Sequence, residues 1–408
     1  MSSGKRSALE FEDARRIVIE TTRSLVAGDR LELISLDEAH GRILAAPLLA
    51  DRDIPALRRS LRDGFAVTSA DLPGVLAVRG EVRAGESGRG SFLAGRATEI
   101  MTGAPVPEGS DAVVMIEHVT RFQDDSGRQM VKIESPAEIG QFINARGAEA
   151  AEGAVLVAPG TRLDASHVAA LASVGQIRVE VFRRPSVAIL ATGDEIVEVG
   201  EQPLPHQVRN SNSFMLASLV RSAGGLPTIL PIAPDRSEDL RTLLERGRTS
   251  DFLLVTGGVS AGKYDLVKPA LRELGAEFLF ERVRIQPGQP TAFGIENGKP
   301  LFGLPGNPGS TLITFQLFAR PVLEVLGGLA EPLLPLLSAR FEAPFGHKGG
   351  LTRFLPAHLS ADGQHLRHIP WQGSSDIPAL ARANAFLVAD HDRLTWETGD
   401  EIRVMLKP

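Results

Sequence analysis

The middle of the chain alternates short apolar runs with segments whose apolar residues recur at helical spacing. Between residues 185 and 330, the runs SVAILAT, PTILPIA, DFLLVTG and EFLFERVRI alternate with NSNSFMLASLVRSAGG, RSEDLRTLLERG, DLVKPALRELG and NPGSTLITFQLFA. The apolar runs are nearly continuous in Val, Ile and Leu, as in strands that are buried on both faces. This alternation predicts a largely parallel sheet with helices on both faces, in which ligands bind at the carboxyl ends of the strands.

The segments on either side follow other patterns. Residues 9–27 place Phe11, Val18 and Leu25 at helical spacing before Gly28, which predicts one amphipathic helix ending at the glycine. From residue 51 to about 140, short apolar pieces separated by Gly, Pro and Asp predict short strands. DASHVAALASVG, with Asp164 as N-cap, then predicts that helical structure returns. The residues after 330 indicate brief strands without a helical period.

These patterns describe an α/β multidomain protein of 408 residues, a length that by itself favours several domains. We predict a discontinuous helical linker domain, an inserted β domain, a central and mostly parallel α/β domain, and a small C-terminal β domain. Their predicted bounds are 1–50 with 141–180, then 51–140, 181–330 and 331–408.

The composition of the chain argues against several classes of function. The formal net charge of -6 argues against a nucleic-acid surface, and the lack of cysteine excludes disulfides, thiolate metal sites and cysteine nucleophiles. No apolar run approaches the roughly 18 residues of a membrane-spanning helix. The start MSSGKRSALEFED lacks the apolar core of a secretory signal. We therefore expect a cytoplasmic protein with no nucleic-acid or membrane partner.

Two glycine turns follow predicted strands. The first, TGGVSAG, holds Gly257, Gly258, Ser260 and Gly262 between a strand and a helix, where a bare backbone can approach a phosphate. A tight turn without a ligand explains a Gly-Gly pair alone about equally well. The second turn, GLPGNPGS, enters a helix with Pro308 in its first turn and could take another phosphate or oxyanion. A proline-stiffened connector is the alternative for this turn.

Acidic residues follow three predicted strands of the same sheet. SVAILAT leads to Asp194 and Glu195, PTILPIA leads to Asp235, and the first glycine turn ends at Asp265. Asp235 taken alone is better explained as a helix N-cap. Four acids around a phosphate loop would repel a bare anion, whereas Mg²⁺ between them would join carboxylates to phosphate oxygens. The sequence therefore predicts a Mg²⁺ and phosphate site at this edge of the sheet.

The chain resembles the molybdopterin molybdenumtransferase family, which includes a bacterial enzyme and the corresponding domain of gephyrin. The matching motifs are collinear over nearly the whole chain: RDGFA (62–66), IMTGAPVPEGSDAVVMIE (100–117), TGDEI (192–196), NSNSFML (210–216), GGVSAGKYD (257–265), PGQPTAFG (287–294), GLPGNPGS (303–310) and ARANAF (381–386). The resemblance implies a central domain of the molybdopterin-binding type and a C-terminal domain like a small β-barrel. It also implies insertion of molybdate into adenylylated molybdopterin, with release of AMP and help from Mg²⁺.

The resemblance assigns roles to residues by motif. The catalytic residues it implies are Asp63, Thr102, Glu195, Asp235 and Asp265, and the metal ligands are Asp194, Glu195, Asp235 and Asp265. The substrate-binding residues it implies are Gly257, Gly258, Ser260, Gly262, Asn210, Ser211, Arg282, Gln286, Gln289, Pro305, Gly306, Asn307, Pro308 and Ser310. Family members are homodimers in which Asp63 and Thr102 would act across the interface. The molybdopterin adenylyltransferase and molybdoenzyme maturation proteins are the expected protein partners.

Several positions depart from the family pattern. Two lysines of an IKPGKP-like segment are Gln286 and Gln289 here, Arg62 replaces a methionine, and GLTRFLP (350–356) replaces a GRxxFxR pattern. The loss of two cations keeps open a second function, a weak or inactive paralogue that acts as a homodimeric scaffold in cofactor assembly. A third alternative is an adenylyltransferase with a similar α/β domain, but the additional predicted β domains argue against it.

Overall fold

The computed structural model describes residues 8–26, 28, 30–87, 93–258 and 266–407, with residue 237 described by its backbone alone. The chain forms two compact units. One unit contains residues 1–45, 160–164 and 178–408, and the other contains residues 46–159 and 165–177. The division into four domains proposed above stays a prediction.

The first unit is built on a six-stranded mixed sheet. Its spatial order is Leu226–Ile229, Ser186–Ala191, Phe252–Thr256, Lys299–Leu304, Ala292–Glu296, Glu277–Phe280. The first four strands are parallel, and the last two are antiparallel to their neighbours. The apolar runs thus form the expected strands, except that EFLFERVRI divides into Glu277–Phe280 and Ile285–Gln286. A hairpin turn at Asn297 and Gly298, with φ of 49° and 71°, causes the switch to antiparallel pairing.

Helices cover both faces of this sheet. Along Phe252–Thr256, Phe252 and Leu254 enter one core while Leu253 and Val255 enter the other, as the alternation of side chains along a strand requires. The helices of the first unit are Phe11–Leu25, Leu36–Glu38 (3₁₀), Ser211–Ser222, Ser237–Gly247, Val267–Glu273, Pro308–Thr314, Arg320–Leu326 and Ile377–Arg382. A π-helical turn, Phe315–Ala319, joins two of them.

The N-terminal helix Phe11–Leu25 forms where the apolar spacing predicts it, and it packs on this same core. Phe11, Ala14 and Val18 are buried there. Arg15 donates hydrogen bonds to the carbonyl oxygens of Leu317 (2.9 Å) and Pro332 (2.6 Å). Two small pairings complete this part of the unit: Leu31–Ser35 with Arg178–Phe182, and Ile196–Val197 with Val208–Arg209.

The C-terminal strands close into a five-stranded barrel. Its strands are Leu336–Phe341, Thr352–Leu359, His365–His368, Ala385–Ala389 and Glu401–Leu406, and pairing of the second with the fourth closes the ring. Phe345–Gly346 and Thr395–Trp396 form a further small pair. Ile285–Gln286, from the chain of the α/β sheet, adds a parallel strand alongside Thr352 and Arg353. The predicted fold class, with its barrel-like C-terminal domain, is confirmed.

The second unit contains the predicted β-rich segment. Its six-stranded sheet has the order Ala112–Met115, Gly64–Val67, Arg96–Ile100, Gly74–Val82, Gln129–Ile133, Val119–Gln123. Smaller elements are the pairs Leu48–Leu49 with Val155–Val157 and Arg59–Ser60 with Ile143–Asn144, the 3₁₀ turns Ser69–Asp71 and Ile116–His118, and the helix Ala165–Ser173. Across the described ranges of the chain, no helix has the length and apolar character needed to span a membrane.

Candidate active site

A cavity of about 440 Å³ opens at the carboxyl ends of the parallel strands. Parallel strands end at a common edge, so the residues that follow Ser186–Ala191, Phe252–Thr256 and Lys299–Leu304 come together there. Thr192, Gly257 and Gly306 are the first contributions from these three strands. Ser375 and Ile377, from the C-terminal part of the same unit, complete the lining.

A polar network forms one wall of the cavity. Asn212 Nδ2 donates to Thr256 Oγ1 (3.0 Å) and to the carbonyl oxygen of Gly306 (2.7 Å). The Thr256 hydroxyl in turn donates to the carbonyl oxygen of Pro305 (3.0 Å). Asn210 caps the helix Ser211–Ser222 by accepting from the backbone N–H of Ser213 (3.1 Å). The network joins the central strand, the second glycine turn and the NSN segment.

The first glycine turn leaves no room for side chains. Gly257 and Gly258 have φ of 94° and 61°. A Cβ on Gly257 would lie 2.4 Å from the carbonyl oxygen of Thr192, and one on Gly258 would lie 2.8 Å from Cγ2 of Val267. Only glycine satisfies both the backbone and the space. The predicted residues Ser260, Gly262 and Asp265 lie outside the described residues.

Two of the predicted acids are in direct contact. The backbone N–H of Asp235 donates to Oδ1 of Asp194 (3.0 Å). Burial raises the pKa of the Asp235 carboxyl, and the charges of Asp194 and Glu195 raise it further. The Glu195 carboxylate folds back over Gly193, where a Cβ would lie 2.5 Å from Glu195 Oε2. These three carboxylates form a local negative field that a cation would relieve.

Among the residues that the structure describes, no group of three or more His, Cys, Asp and Glu side chains is arranged to hold a metal ion. The acids therefore do not form a cage of protein ligands within those residues. Such a cage is not needed for Mg²⁺, which is commonly held by one or two carboxylates together with substrate phosphates and water. The Asp194–Asp235 pair fits that donor set.

The second glycine turn is tied to the C-terminal part of the unit. Asn307 Nδ2 donates to Ser374 Oγ (2.9 Å), and the backbone N–H of Gly309 donates to the Ser374 carbonyl oxygen (2.7 Å). Pro305 and Ser310 act through carbonyl oxygens that accept from Thr311 Oγ1 (2.6 Å) and Thr314 Oγ1 (2.8 Å), respectively. Asn307 and Pro308 line the cavity, whereas Pro305 and Ser310 are not in the lining.

The segment with the two glutamines forms the added strand of the barrel. Gln286 is exposed and lies in register with Arg353 of the neighbouring strand. The carbonyl oxygen of Gln289 accepts from the N–H of Val283 (3.0 Å), and the carbonyl oxygen of Arg282 accepts from the N–H of Leu9 (3.3 Å). Arg353 Nε is buried and has no hydrogen-bond partner within the described part of the chain.

Asp63 and Thr102 meet in the second unit. Asp63 Oδ1 accepts from both the backbone N–H (2.6 Å) and the hydroxyl (2.9 Å) of Thr102. These two bonds hold the pKa of Asp63 below its ordinary value. The pairing of Gly64 with Ile100 explains the contact, because it places the two residues just beyond the end of the same ladder.

The cavity unites about half of the predicted binding residues with others that were not predicted. The predicted residues in its lining are Glu195, Asn210, Ser211, Gly257, Gly306, Asn307 and Pro308. Of the other described residues in the first unit, Asp194, Asp235, Gly258, Pro305, Ser310, Arg282, Gln286 and Gln289 are not in the lining. The residues that sequence reasoning missed are Thr192, Arg209, Asn212 and Thr256. Their position in the sequence was the available signal: Thr192 lies in TGDEI, Asn212 in NSNSFML and Thr256 in TGGVSAG, and Arg209 directly precedes NSNSFML.

Arg209 brings a cation to the cavity. Its Nε donates to the Glu201 carbonyl oxygen (2.9 Å), and its Nη2 donates to Gln202 Oε1 (3.3 Å). Both acceptors are neutral, so these bonds orient the guanidinium without neutralising it. A guanidinium that lines the same cavity as the glycine turns suits a phosphate or oxyanion.

Family models match three segments of the chain. The MoeA N-terminal region (domain I and II) matches residues 9–175, a probable molybdopterin binding domain matches residues 188–325, and the MoeA C-terminal region (domain IV) matches residues 338–407. The three segments follow one another in the order expected of the resemblance noted above.

Similar proteins extend the match to nearly the full length. The molybdopterin molybdenumtransferases of Bacillus subtilis and Nostoc are each 32% identical to the chain, covering 98% and 97% of it and 95% and 93% of themselves. A crystal structure of a molybdopterin biosynthesis MoeA protein from Pyrococcus horikoshii is 27% identical with a TM-score of 0.82, over 98% of this chain and 100% of that one. The chain therefore belongs to the molybdopterin molybdenumtransferase family.

Proposed function

We propose that the protein inserts molybdenum into molybdopterin during molybdenum cofactor biosynthesis. Its substrates in this proposal are molybdate and adenylylated molybdopterin, and its second product is AMP. The observation that carries the proposal is the full-length family match to proteins named molybdopterin molybdenumtransferase. The glycine-lined cavity at the carboxyl ends of the parallel strands supports it with a site of suitable size and chemistry.

The described residues of the cavity suit binding and positioning. The bare turn at Gly257 and Gly258 lets a phosphate or a flat ring approach the backbone closely. Arg209 attracts the anionic part of the substrate, and Asn307 and Pro308 line the same cavity. Cleavage of a phosphoanhydride beside molybdate concentrates negative charge, so fixed donors and cations are the expected catalytic devices. By their motif, Ser260 and Gly262 are proposed to bind the same phosphate or ring.

We infer that Mg²⁺ binds at Asp194, Glu195, Asp235 and Asp265 together with substrate phosphate oxygens. The close approach of Asp194 and Asp235 supports this inference, as does the raised pKa of Asp235. When bound, Mg²⁺ would neutralise phosphate oxygens as negative charge develops on them. In its absence, the carboxylates repel one another and Asp235 retains a proton to a higher pH.

We also propose a homodimer in which Asp63 and Thr102 serve the partner's substrate. The support is the two hydrogen bonds from Thr102, which fix the Asp63 carboxylate and keep it ionised. An ionised, oriented carboxylate can accept a proton or bind a cation. Contact with the adenylyltransferase that supplies the substrate, contact with molybdoenzyme maturation proteins, and a cytoplasmic location belong to the same proposal.

The decisive experiment is AMP release from adenylylated molybdopterin by the purified protein. We expect release that requires both molybdate and Mg²⁺. Absence of release at every molybdate concentration would overturn the proposal in favour of a scaffold without catalysis. The Gln286→Lys/Gln289→Lys variant should bind the anionic substrate about ten- to a hundredfold more tightly if the missing cations weaken it, because a charge-assisted hydrogen bond contributes about 1.5–3 kcal/mol.

A matched control separates local charge from net charge. Gln364→Lys adds a lysine at an exposed position in the turn before His365–His368, so it should leave substrate affinity unchanged. The single variant Gln286→Lys, which also adds one charge, is the comparison. If the control improves affinity as much as this variant does, the effect comes from overall charge and not from the position of Gln286.

A further inference from the structure

Four side chains in the cavity wall are almost completely buried although they are polar. Thr192, Asn210, Asn212 and Thr256 are 4%, 3%, 9% and 2% exposed, and all four line the cavity. Buried polar groups in folded proteins are nearly always hydrogen-bonded, so an unpaired polar atom here needs an explanation.

The amide of Asn212 can adopt only one orientation. Both of its N–H bonds are used, one to Thr256 Oγ1 (3.0 Å) and one to the Gly306 carbonyl oxygen (2.7 Å). The Gly306 oxygen is an acceptor only, and the one hydrogen of the Thr256 hydroxyl goes to the Pro305 oxygen (3.0 Å). A flipped amide would place its oxygen against two acceptors. The network therefore fixes the orientation of the Asn212 amide and provides no donor for its Oδ1.

That oxygen is unsatisfied. Within the ranges the structure describes, Asn212 Oδ1 is buried and accepts no hydrogen bond, and the Thr192 hydroxyl oxygen is in the same state. The Thr192 hydroxyl lies beside the bare turn, 2.9 Å from the place where a Cβ of Gly258 would be. The two residues that carry these unpaired atoms both line one cavity, and one of the two atoms can only accept.

We propose that Asn212 Oδ1 accepts a hydrogen bond from an amino group on a fused nitrogen heterocycle of the substrate, with Thr192 as a secondary contact. This inference rests on the function proposed above, whose substrate carries two such rings, a pterin and an adenine. An acceptor fixed in place selects an amine and rejects a carbonyl oxygen at the same position, because the two oxygens would repel each other. Asn212 is therefore a specificity-determining residue, oriented by Thr256.

Binding titrations with two pairs of compounds test the proposal and identify the ring. AMP is compared with inosine monophosphate, and pterin with 2,4-dioxopteridine, since each second compound replaces the amine by a carbonyl oxygen. We expect about a tenfold or larger loss of affinity within one pair and little change in the other, and the discriminating pair names the ring. Equal affinities within both pairs, or no binding of any of the four compounds, would overturn the proposal.

Two conservative variants test the orientation. Thr256→Ser keeps the hydroxyl that holds the amide, so the affinity ratio of the discriminating pair should persist. Thr256→Val removes that acceptor, so the ratio should fall below about threefold as the Asn212 amide turns. An unchanged ratio in the valine variant would overturn the positioning role.

The AMP-release assay keeps this inference distinct from the proposed function. Release of AMP by a protein that shows no preference within either pair would leave the function standing and remove the Asn212 proposal. A clear preference within one pair of compounds, in a protein that releases no AMP, would support the Asn212 proposal and remove the proposed function.

Discussion

Asp63 and Asp235 are carboxylates whose environments shift their pKa values in opposite directions. Asp63 accepts two hydrogen bonds from Thr102 and has a lowered pKa, whereas burial and the neighbouring acids Asp194 and Glu195 raise the pKa of Asp235. One carboxylate is satisfied by neutral donors within its own unit. The other has two acidic neighbours, and no basic group among the described residues lowers its pKa. Under the proposed function, the difference predicts that Asp63 is ionised and oriented without any ligand, whereas Asp235 would gain most from a bound cation.

The largest expected effect comes from removing the charge of Asp235. We expect Asp235→Asn to lower molybdate-dependent AMP release about a hundredfold or more, the size associated with losing one electrostatic contact to a transition state. Calorimetry should also detect weaker Mg²⁺ binding. Asp239→Asn, an exposed aspartate in the first turn of the following helix, is the control. Similar rates for the two variants would mean that Asp235 is no more than a surface acid.

The next effect concerns the space that Gly193 leaves for Glu195. Gly193 has a φ of 141°, and a Cβ there would displace the Glu195 carboxylate. Gly193→Ala should destabilise the protein by about 1–3 kcal/mol and weaken Mg²⁺ binding. Urea unfolding and calorimetry measure the two effects. Glu195→Gln provides the comparison, since it should weaken Mg²⁺ binding without the loss of stability. If Gly193→Ala is as stable as the unmodified protein, alanine causes no backbone strain at this position.

A smaller effect is the order in which the two aspartates titrate. As pH falls in metal-free protein, Asp235 should take up its proton above the ordinary aspartate pKa and Asp63 below it. The lowered pKa means that Asp63 stabilises the fold above its unfolded pKa and loses that contribution as pH falls through its folded pKa. The raised pKa of Asp235 has the opposite effect: it stabilises the fold below the unfolded pKa, and this contribution is lost as pH rises through the folded pKa. NMR of protein labelled at aspartate carboxyl carbons can follow both, and the reverse order would refute the comparison.

The smallest expected effect separates the two bonds that Thr102 donates. Thr102→Val removes the hydroxyl but keeps the backbone N–H, so the pKa of Asp63 should rise only part of the way to its ordinary value. Thr102→Ser retains both donors and should leave the pKa unchanged. The same NMR titration measures each variant. A full return to the ordinary value in the valine variant would mean that the backbone bond contributes nothing.

Periodicity was sufficient for the elements with long, regular patterns. The helix Phe11–Leu25 and the strand Phe252–Thr256 follow directly from their apolar spacing. The hairpin around Asn297 and Gly298 was missed although Asn-Gly between apolar runs is a strong turn signal. The two strands of this hairpin, Ala292–Glu296 and Lys299–Leu304, were consequently not among the predicted strands, whereas Glu277–Phe280 was predicted within EFLFERVRI.

The candidate site was predictable where motif residues themselves reach the ligand space. Gly257, Asn307 and Asn210 line the cavity as expected. Asn212 could not be singled out, because its importance depends on partners at Thr256 and Gly306, distant in sequence, that use up its N–H groups. The opposite pKa shifts of Asp63 and Asp235 are likewise properties of three-dimensional neighbours.

The added strand Ile285–Gln286 has a practical consequence for dividing the chain into fragments. It leaves the α/β sheet, fills the open side of Thr352 and Arg353, and the chain then returns to the α/β sheet at Ala292–Glu296. A fragment that starts near residue 331 would leave the backbone groups of Thr352 and Arg353 on that side without their strand partner. The fragment that precedes it would carry Ile285–Gln286 as an unpaired strand. Both pieces would be prone to aggregation, so excision and domain transplantation should keep the first unit whole, including residues 1–45, whose helix Phe11–Leu25 packs on its core.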